Sequence, residues 1–482
     1  MPKVNFKRKE VSDHEKSWAL ISDCVAGEET VKKGKELYLP RPTAEADTTY
    51  GKARYQAYVL RAVFYNVSGR TLEGLVGQVF SKDPEIDLPT DLERYIPDID
   101  GAGTPLVQQS KATLGLTVGL GHCGLLSDYP GSTEAATKQD IETLKIRPRI
   151  ILIKPEDIIN WRVTVVGGET LLSLVVLEEE AIIEDSDDGF EFKTETRWRE
   201  IRLVEVEGGN FAAVVTVWRK KDKTTGGEEF EPVQGFPVVL QDHRGQPLDR
   251  IPFEFVGSTN NEPHIDKAPL LDLATLNVAH YRNSADYEEG VFITGQDQLV
   301  MTGLSQEWMD KNFKDGVKLG SRSAIALPKD ANAFLLHADA NSIAAEAMKH
   351  KEDQMKSLGA KLIEPTSSKG TATEALIEES SESSTLASAA KNVSVAYRKA
   401  LWNASRFVAD VNPEDIVFEL NCDFAASMAS PEDRQQTVAE WQGGLITYEE
   451  ARTQLRKAGI ATEEDEAAKT KAADTIIPVE PM

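Results

Sequence analysis

An α+β fold is predicted for this 482-residue chain by three observations. Apolar residues recur at three- and four-residue spacing before Gly119 and again after Pro269, which is the signature of helices with one buried face. Short β-branched runs punctuated by Gly, Asn and Asp fill Arg147 to Gly257, which reads as antiparallel strands. A small group of strand-like pieces then sits between two helical stretches. At roughly 100–200 residues per domain, the length suggests about three units.

Taken in order, residues 13 to 37 read as a helix, with Ser12 and Asp13 as cap candidates ahead of Trp18, Leu20, Ile21 and Val25, and with Leu39-Pro40-Arg41-Pro42 as its stop. From Tyr55 to Val79 the positions Tyr58, Val59, Ala62, Val63, Leu72, Leu75, Val76 and Val79 predict two helices, broken near Ser68-Gly69. Pro105 to Gly119 is a further helix, and Leu125 to Tyr129 a strand ended by Pro130. The β-rich region contains Ile150 to Ile153, Leu171 to Leu177, Thr194 to Val206, Phe211 to Trp218, Val238 to Leu240 and Phe253 to Val256. Glu178 to Asp188 reads as one of its acidic loops, a solvated surface.

After Pro269, residues Leu270, Leu273, Ala274, Asn277, Val278, Tyr281 and Ala285 fall on one helical face. Strand-like pieces follow at Val291 to Thr294, Gln298 to Met301, Val317 to Leu319, Ser323 to Leu327 and Ala333 to Leu336. A second long helix starts near Ser342 and carries Ile343, Met348, Met355, Leu358 and Leu362. Thr366 to Ser384, rich in Ser, Thr, Glu and Gly, reads as a mobile loop that leads into a polar helix approach. The clearest periodicity is Leu386, Ala390, Val393, Tyr397, Leu401, Ala404 and Val408, which predicts a helix packed along its whole length. Pro431 to Gly459 offers two helices joined at Gly443 to Thr447, with Thr447 and Glu450 spaced as a capping box, and Thr462 to Met482 reads as a loose charged tail.

Composition excludes several classes. With 40% hydrophobic and 28% charged residues, the chain is globular and not disordered. No apolar run reaches the length of a membrane span, and the start, with Lys3, Lys7, Arg8 and Lys9, lacks the apolar centre of a signal peptide; a soluble, non-secreted protein with no membrane partner is expected. Cys24, Cys123 and Cys422 are far apart, which argues against a disulfide framework or a zinc site and fits a reducing compartment. Lys and Arg number 54 against 79 Asp and Glu, a formal charge of −25, so tight coating of DNA is disfavoured while DNA passing by without sticking is not.

The usual catalytic signatures are missing. Gly119-Leu120-Gly121-His122-Cys123-Gly124 matches G-x-G-x-x-G, but a helix precedes it and a strand follows, so the expected role is a helix C-cap and tight turn. There is no phosphate loop, no paired histidine motif and no serine nucleophile elbow. Cys123 beside His122 in an extended segment points the opposite way, and a buried cysteine is expected. The acidic runs Glu378-Glu379 and Glu463 to Glu466 lack the spacing of a cation loop. The expectation is a non-enzyme with no cofactor and no metal.

Tyr55 to Pro84, YQAYVLRAVFYNVSGRTLEGLVGQVFSKDP, resembles the opening of a branch of tailed-bacteriophage portal proteins, the head-tail connector rings. Asp98 to Gly103, Gly124 to Pro130, Pro155 to Arg162, Pro269 to Tyr287, Asp423-Phe424 and Gly443 to Ile446 are similar to that family in the same order, so the resemblance spans roughly Trp18 to Gly459. It implies a portal-type architecture of α/β wing, helical stem, small β-rich clip and short helical crown. The corresponding divisions are 1–265 for the N-terminal helical region and β-rich wing, 266–290 for the first stem helix, 291–338 for the clip, 339–365 for the second stem helix, 366–430 for the tunnel loop and long wing helix, and 431–482 for crown and tail.

The resemblance further implies a homo-oligomeric ring, commonly a dodecamer, at one capsid vertex, through which double-stranded DNA is packaged and ejected. The implied partners are the large terminase, the major capsid or scaffold protein, a head-tail adaptor and transient, non-specific DNA. The implied location is the virion, with assembly in the host cytoplasm. Lys349, Lys351, Lys356 and Lys361 on the second stem helix and Lys369 in the loop are candidates for phosphate contact, each weighed against an ordinary solvated surface or an intersubunit ion pair. Leu319 and Ile325 are candidate subunit contacts, because short apolar edge strands are an aggregation liability in a monomer. Two alternatives stand beside this: a monomeric or dimeric minor capsid or interaction protein without a channel, and a hydrolase using acidic pairs.

Overall fold

The computed structural model describes residues 3–42, 48–93, 96–129, 147–184, 191–206, 210–221, 229–295, 298–312, 327–336, 342–362, 384–422, 437–441 and 445–457. In chain order the helices are α1 (Lys9–Ala26), α2 (Glu28–Lys33), α3 (Thr49–Arg61), α4 (Val67–Val79), α5 (Thr90–Glu93), α6 (Leu106–Leu120), α7 (Leu271–Thr294), α8 (Gln306–Asn312), α9 (Ile343–Lys361), α10 (Thr385–Ser405) and α11 (Tyr448–Lys457). The strands are β1 (Glu85–Asp87), β2 (His122–Asp128), β3 (Arg149–Ile153), β4 (Ile158–Val166), β5 (Glu169–Glu184), β6 (Phe192–Val206), β7 (Asn210–Lys220), β8 (Phe230–Pro232), β9 (Val238–Val239), β10 (Phe253–Gly257), β11 (Gln298–Thr302), β12 (Asn332–Leu336) and β13 (Val417–Glu419). Among the described residues all the strand pairings are antiparallel, and the fold is α+β. The chain forms two compact units, one from residues 1–21, 70–271 and 359–482, the other from 22–69 and 272–358.

In the first unit, β2 is the middle strand of a three-stranded sheet in the order β10-β2-β3, with Gly124 opposite Phe255 and Leu126 opposite Ile151. Helices α6 and α10 supply the rest of its core. Leu386, Ala390, Val393, Tyr397, Leu401 and Ala404 are all buried, as their spacing predicts, together with Leu114, Val118, Leu125 and Ile150, whereas Val408, expected on the same helix, lies past its end at Ser405 and is half-buried. Alanines at 387, 389, 396 and 400 keep α10 thin enough to be enclosed. Inside this core Tyr397 donates to Gln109 Oε1 at 3.0 Å and lies 2.9 Å from Thr113 Oγ1, while Gln109 Nε2 donates to Ile150 O at 2.7 Å. A buried phenol is tolerated here because its partners are polar side chains on α6.

The second sheet of this unit runs β4-β5-β6-β7-β8, with β9 also paired to β7. Its long hairpin corrects the loop expected at Glu178 to Asp188: Glu178 to Glu184 belong to β5 and pair with β6, while 185–188 lie outside the described residues. The acidic run is a strand because its backbone pairs along β6 and its first two glutamates find side-chain partners across the ladder. Trp198 Nε1 donates to Glu178 at 3.0 Å, and Arg199 grips Glu179 at 2.6 Å.

Gly121 closes α6 in the left-handed region, at φ 81°, and its N–H donates to Thr117 O at 3.0 Å. A side chain there would meet Asp266 O at 2.8 Å, so the glycine serves a turn and a close approach. The G-x-G-x-x-G sequence is thus a helix-to-strand corner, as its context predicts. The capping box is also formed, with Thr447 N donating to Glu450 at 2.7 Å and Glu450 N to Thr447 Oγ1 at 3.2 Å.

In the second unit, α7 buries Leu273, Ala274, Asn277, Val278, Tyr281 and Ala285, six of the seven residues predicted for one face. It is fastened to α3 by Tyr58, which donates to Asp286 at 2.6 Å, and by an Arg61–Glu289 ion pair. Strands β11 and β12 form a two-stranded sheet with Val300 opposite Phe334.

Four local readings change. The single helix expected over 13–37 is two helices, because Gly27 takes φ 97° and ends α1 before Glu28 starts α2. The break expected at Ser68-Gly69 lies at 62–66, and Gly69 is needed inside α4 because a side chain there would press on Val25 O at 2.8 Å. Val291 to Thr294 are the last residues of α7 and not a strand, since extending an existing helix costs less than starting a new element and Arg61 covers the Phe292 ring at 4.1 Å. Gln306–Asn312 forms a short helix where none was predicted, capped by Ser305 Oγ, which accepts from Trp308 N at 3.3 Å. The strand-like pieces at 317–319 and 323–326 lie outside the described residues.

Candidate nucleic-acid interface

The residues proposed for phosphate contact are placed by α9. Turning about 100° per residue, a helix brings positions seven apart to one face, so Lys349 and Lys356 share a side of α9. Lys351 is rotated about 160° from Lys349 and Lys361 about 120°, so the four lysines do not make one stripe. Lys349, Lys356 and Lys361 are exposed and Lys351 is half-buried. Lys356 pairs with Asp353 at 3.2 Å, with both side chains more than half exposed. Such a pair is solvent-screened and leaves the ammonium able to exchange partners. Lys369, Leu319 and Ile325 lie outside the described residues, as do Thr366 to Gly370.

Lys351 belongs to a different environment. The next residue, Glu352, lies against His280 of α7, whose side chain is only 6% exposed, with His280 Nε2 3.4 Å from Glu352 Oε1, and the Lys351 charge disfavours a proton on that ring. Burial holds the imidazole below its usual pKa, and Glu352 opposes that only in part. No sequence motif announces the His280–Glu352 pair, because the two residues lie 72 positions apart (352 − 280).

The apolar residues at the ends of this helix pair are poorly covered. Val291, Phe292 and Ile293 at the end of α7 are 48%, 43% and 46% exposed, Phe334 and Leu335 on β12 are both 46% exposed, and Ile343 at the start of α9 is 71% exposed. These six large apolar side chains belong to three parts of the chain, the end of α7, β12 and the start of α9. A depression of about 320 Å³, open to solvent and lined by Arg41, Arg54, Tyr55, Tyr58 and Glu289, lies in the same unit, with Arg41 stacked over Tyr55 at 5.6 Å and paired with Glu36.

Elsewhere the side chains are arranged for packing. Burial pushes the Cys24 and Cys123 thiols up to about 12, which leaves them protonated and poor nucleophiles. His122 and Cys123 do point to opposite sides: His122 packs on Phe255 and Trp161, and Cys123 lies 3.6 Å from Thr117 Oγ1. Among the described residues no group of three or more His, Cys, Asp or Glu is placed to hold a metal ion, and no helix is long and apolar enough to cross a membrane.

Residues 269–408 match a family model described as a domain of unknown function, DUF4055. No curated protein matches the chain. Among solved structures, the chain is similar to one described as the neck of native GTA particle computed with C12 symmetry, at 11% identity and TM-score 0.36, covering 81% of this chain and 89% of that one. It is similar to the neck of empty GTA particle computed with C6 symmetry, at 12% identity and TM-score 0.37, over 83% and 92%. A third similarity is to the virion of native gene transfer agent (GTA) particle, at 12% identity and TM-score 0.38, over 88% and 98%. At that level of superposition neither fold nor function transfers.

Proposed function

We propose that this protein is a portal subunit: a structural, non-enzymatic component that assembles into a ring at one vertex of a bacteriophage capsid and lets double-stranded DNA through during packaging and ejection. The observation that carries the reading is the run helix α7, antiparallel pair β11-β12, helix α9, with exposed apolar side chains at Val291, Phe292, Ile293, Phe334, Leu335 and Ile343. Covering each would contribute on the order of 1 kcal/mol, so repeating one contact around a closed ring gives a stable assembly from a modest surface. The ordered resemblance of segments from Trp18 to Gly459 to portal proteins supports the same reading. In it α7 and α9 are the stem, 291–338 the clip, of which 291–294 continue α7, α10 the long wing helix, and the six-stranded sheet the outer wing. The terminase motor, capsid or scaffold protein and head-tail adaptor are its proposed partners, the virion its proposed location, and twelve its proposed subunit number.

An acidic chain suits a conduit, because a wall that repels phosphate holds DNA loosely and a few exposed lysines give only passing contact. Lys349 and Lys356 fit that role better than Lys351, since both are exposed and Lys351 is half-buried. The reading is tested by the double substitution Phe334→Asp with Leu335→Asp. The expected result is loss of assembly with cooperative unfolding retained. Unchanged assembly would remove 298–336 as a subunit contact and favour the monomeric or dimeric interaction protein.

A further inference from the structure

We propose that His280 is an acid-sensing element that loosens α7 from α9 when its ring takes up a proton. This goes beyond the portal reading and does not depend on it. The His280 side chain is 6% exposed, and neither Nδ1 nor Nε2 makes a hydrogen bond with the described residues. The groups that lie against it are Glu352 from α9 and Tyr65 from the segment ahead of α4, whose ring centroid is 6.3 Å from the imidazole centroid, and the charge of Lys351 on α9 also acts on it.

Neutral, the ring packs as an aromatic group and leaves one N–H and one lone pair without a partner among the described residues, but it brings no charge into the buried site. Protonated, it has two N–H donors, and Glu352 can accept only one of them. The other is left buried without a partner, at the cost of a desolvated donor. The attraction of Glu352 does not offset this, because that carboxylate is 39% exposed and screened by water, while Lys351 repels the new charge. The opened state therefore binds the proton more readily than the packed one. Packing of α7 on α9 is complete above the ordinary imidazole pKa of 6.5 and weakens as the pH falls below it.

The test is amide hydrogen exchange of α7 and α9 in the full-length protein at about pH 7.5 and about pH 5.5, corrected for intrinsic rates, in the wild type, His280→Gln and Glu352→Gln. One proton can lower protection by at most about tenfold between these pH values. A fall of several-fold is expected in the wild type, with little change in His280→Gln. Glu352→Gln keeps the fold, since its site is partly exposed, and its fall should be at least as large as that of the wild type. Protection that is unchanged or higher at the lower pH in the wild type overturns the proposal. So does an equal fall in His280→Gln, or a smaller fall in Glu352→Gln.

Discussion

Asn277 holds the start of α4 through Ser68: its Oδ1 lies 3.0 Å from both Ser68 N and Ser68 Oγ and also accepts from Val67 N at 3.2 Å. The amide's other end donates to Tyr65 O at 2.8 Å. One side chain on α7 thereby does the work of an N-cap for a helix 209 positions earlier, and Ser68 is fully buried. Asn277→Leu removes the acceptor and leaves buried donors unpaired, which should cost about 3 kcal/mol. Urea unfolding measures this, and a loss below about 1 kcal/mol would mean the contact is dispensable.

Tyr397→Phe tests the polar centre of the first unit. The substitution keeps the ring against Phe418, at 5.1 Å, but removes the donor to Gln109 Oε1 and the contact with Thr113. A loss of about 2 kcal/mol is expected in denaturant unfolding, because Gln109 is buried and has no water to turn to. Tyr397→Leu should cost more, as it also opens a cavity. Equal losses in the two variants would show that the hydroxyl carries the whole effect.

His122 sets an acid limit on stability. It is buried between Trp161 and Phe255, both ring nitrogens lack partners among the described residues, and burial pushes its pKa down to about 4 from 6.5. With the folded value below the unfolded one, its stability contribution is complete above pH 6.5 and falls until about pH 4, by about 3 kcal/mol in total. His122→Phe should remove that part of the pH dependence. Measuring unfolding free energy from neutral pH to about pH 4.5 checks it; parallel curves for the two proteins would contradict the assignment.

The parts of the fold that were legible in the sequence are those fixed by neighbours in the chain. The rhythm from Leu386 to Ala404 specifies a buried helix, Gly121 follows from a helix meeting a strand, and Thr447 with Glu450 is a three-residue pattern. Illegible features depend on partners far away in sequence. Glu178 and Glu179 look like a solvated loop until Trp198 and Arg199 are placed opposite them, and Val291 to Ile293 look like a strand until Arg61, far earlier in the chain, is placed over the Phe292 ring at the end of α7. The site divides in the same way. Four lysines are visible in the sequence, but that Lys351 is half-buried while Lys349 and Lys356 share an exposed face requires the helix and its neighbour.

Reversing charge at Lys349 and Lys356 together, Lys349→Glu with Lys356→Glu, should leave the fold and native mass unchanged, since both side chains are exposed. DNA packaged per particle should fall several-fold, and more steeply at low salt, because phosphate repulsion is less screened there. Lys361→Glu should have a smaller effect. Normal packaging by the double variant would remove these lysines from the channel.

The central claim is a ring. Its most direct test is the native mass of the purified full-length protein by light scattering, with negative-stain images of the heaviest species. The account predicts a single multiple of the 53.1 kDa subunit, near twelve copies, and images with a central hole. A monomer or dimer at every protein and salt concentration tried, with no annular particles, would contradict it.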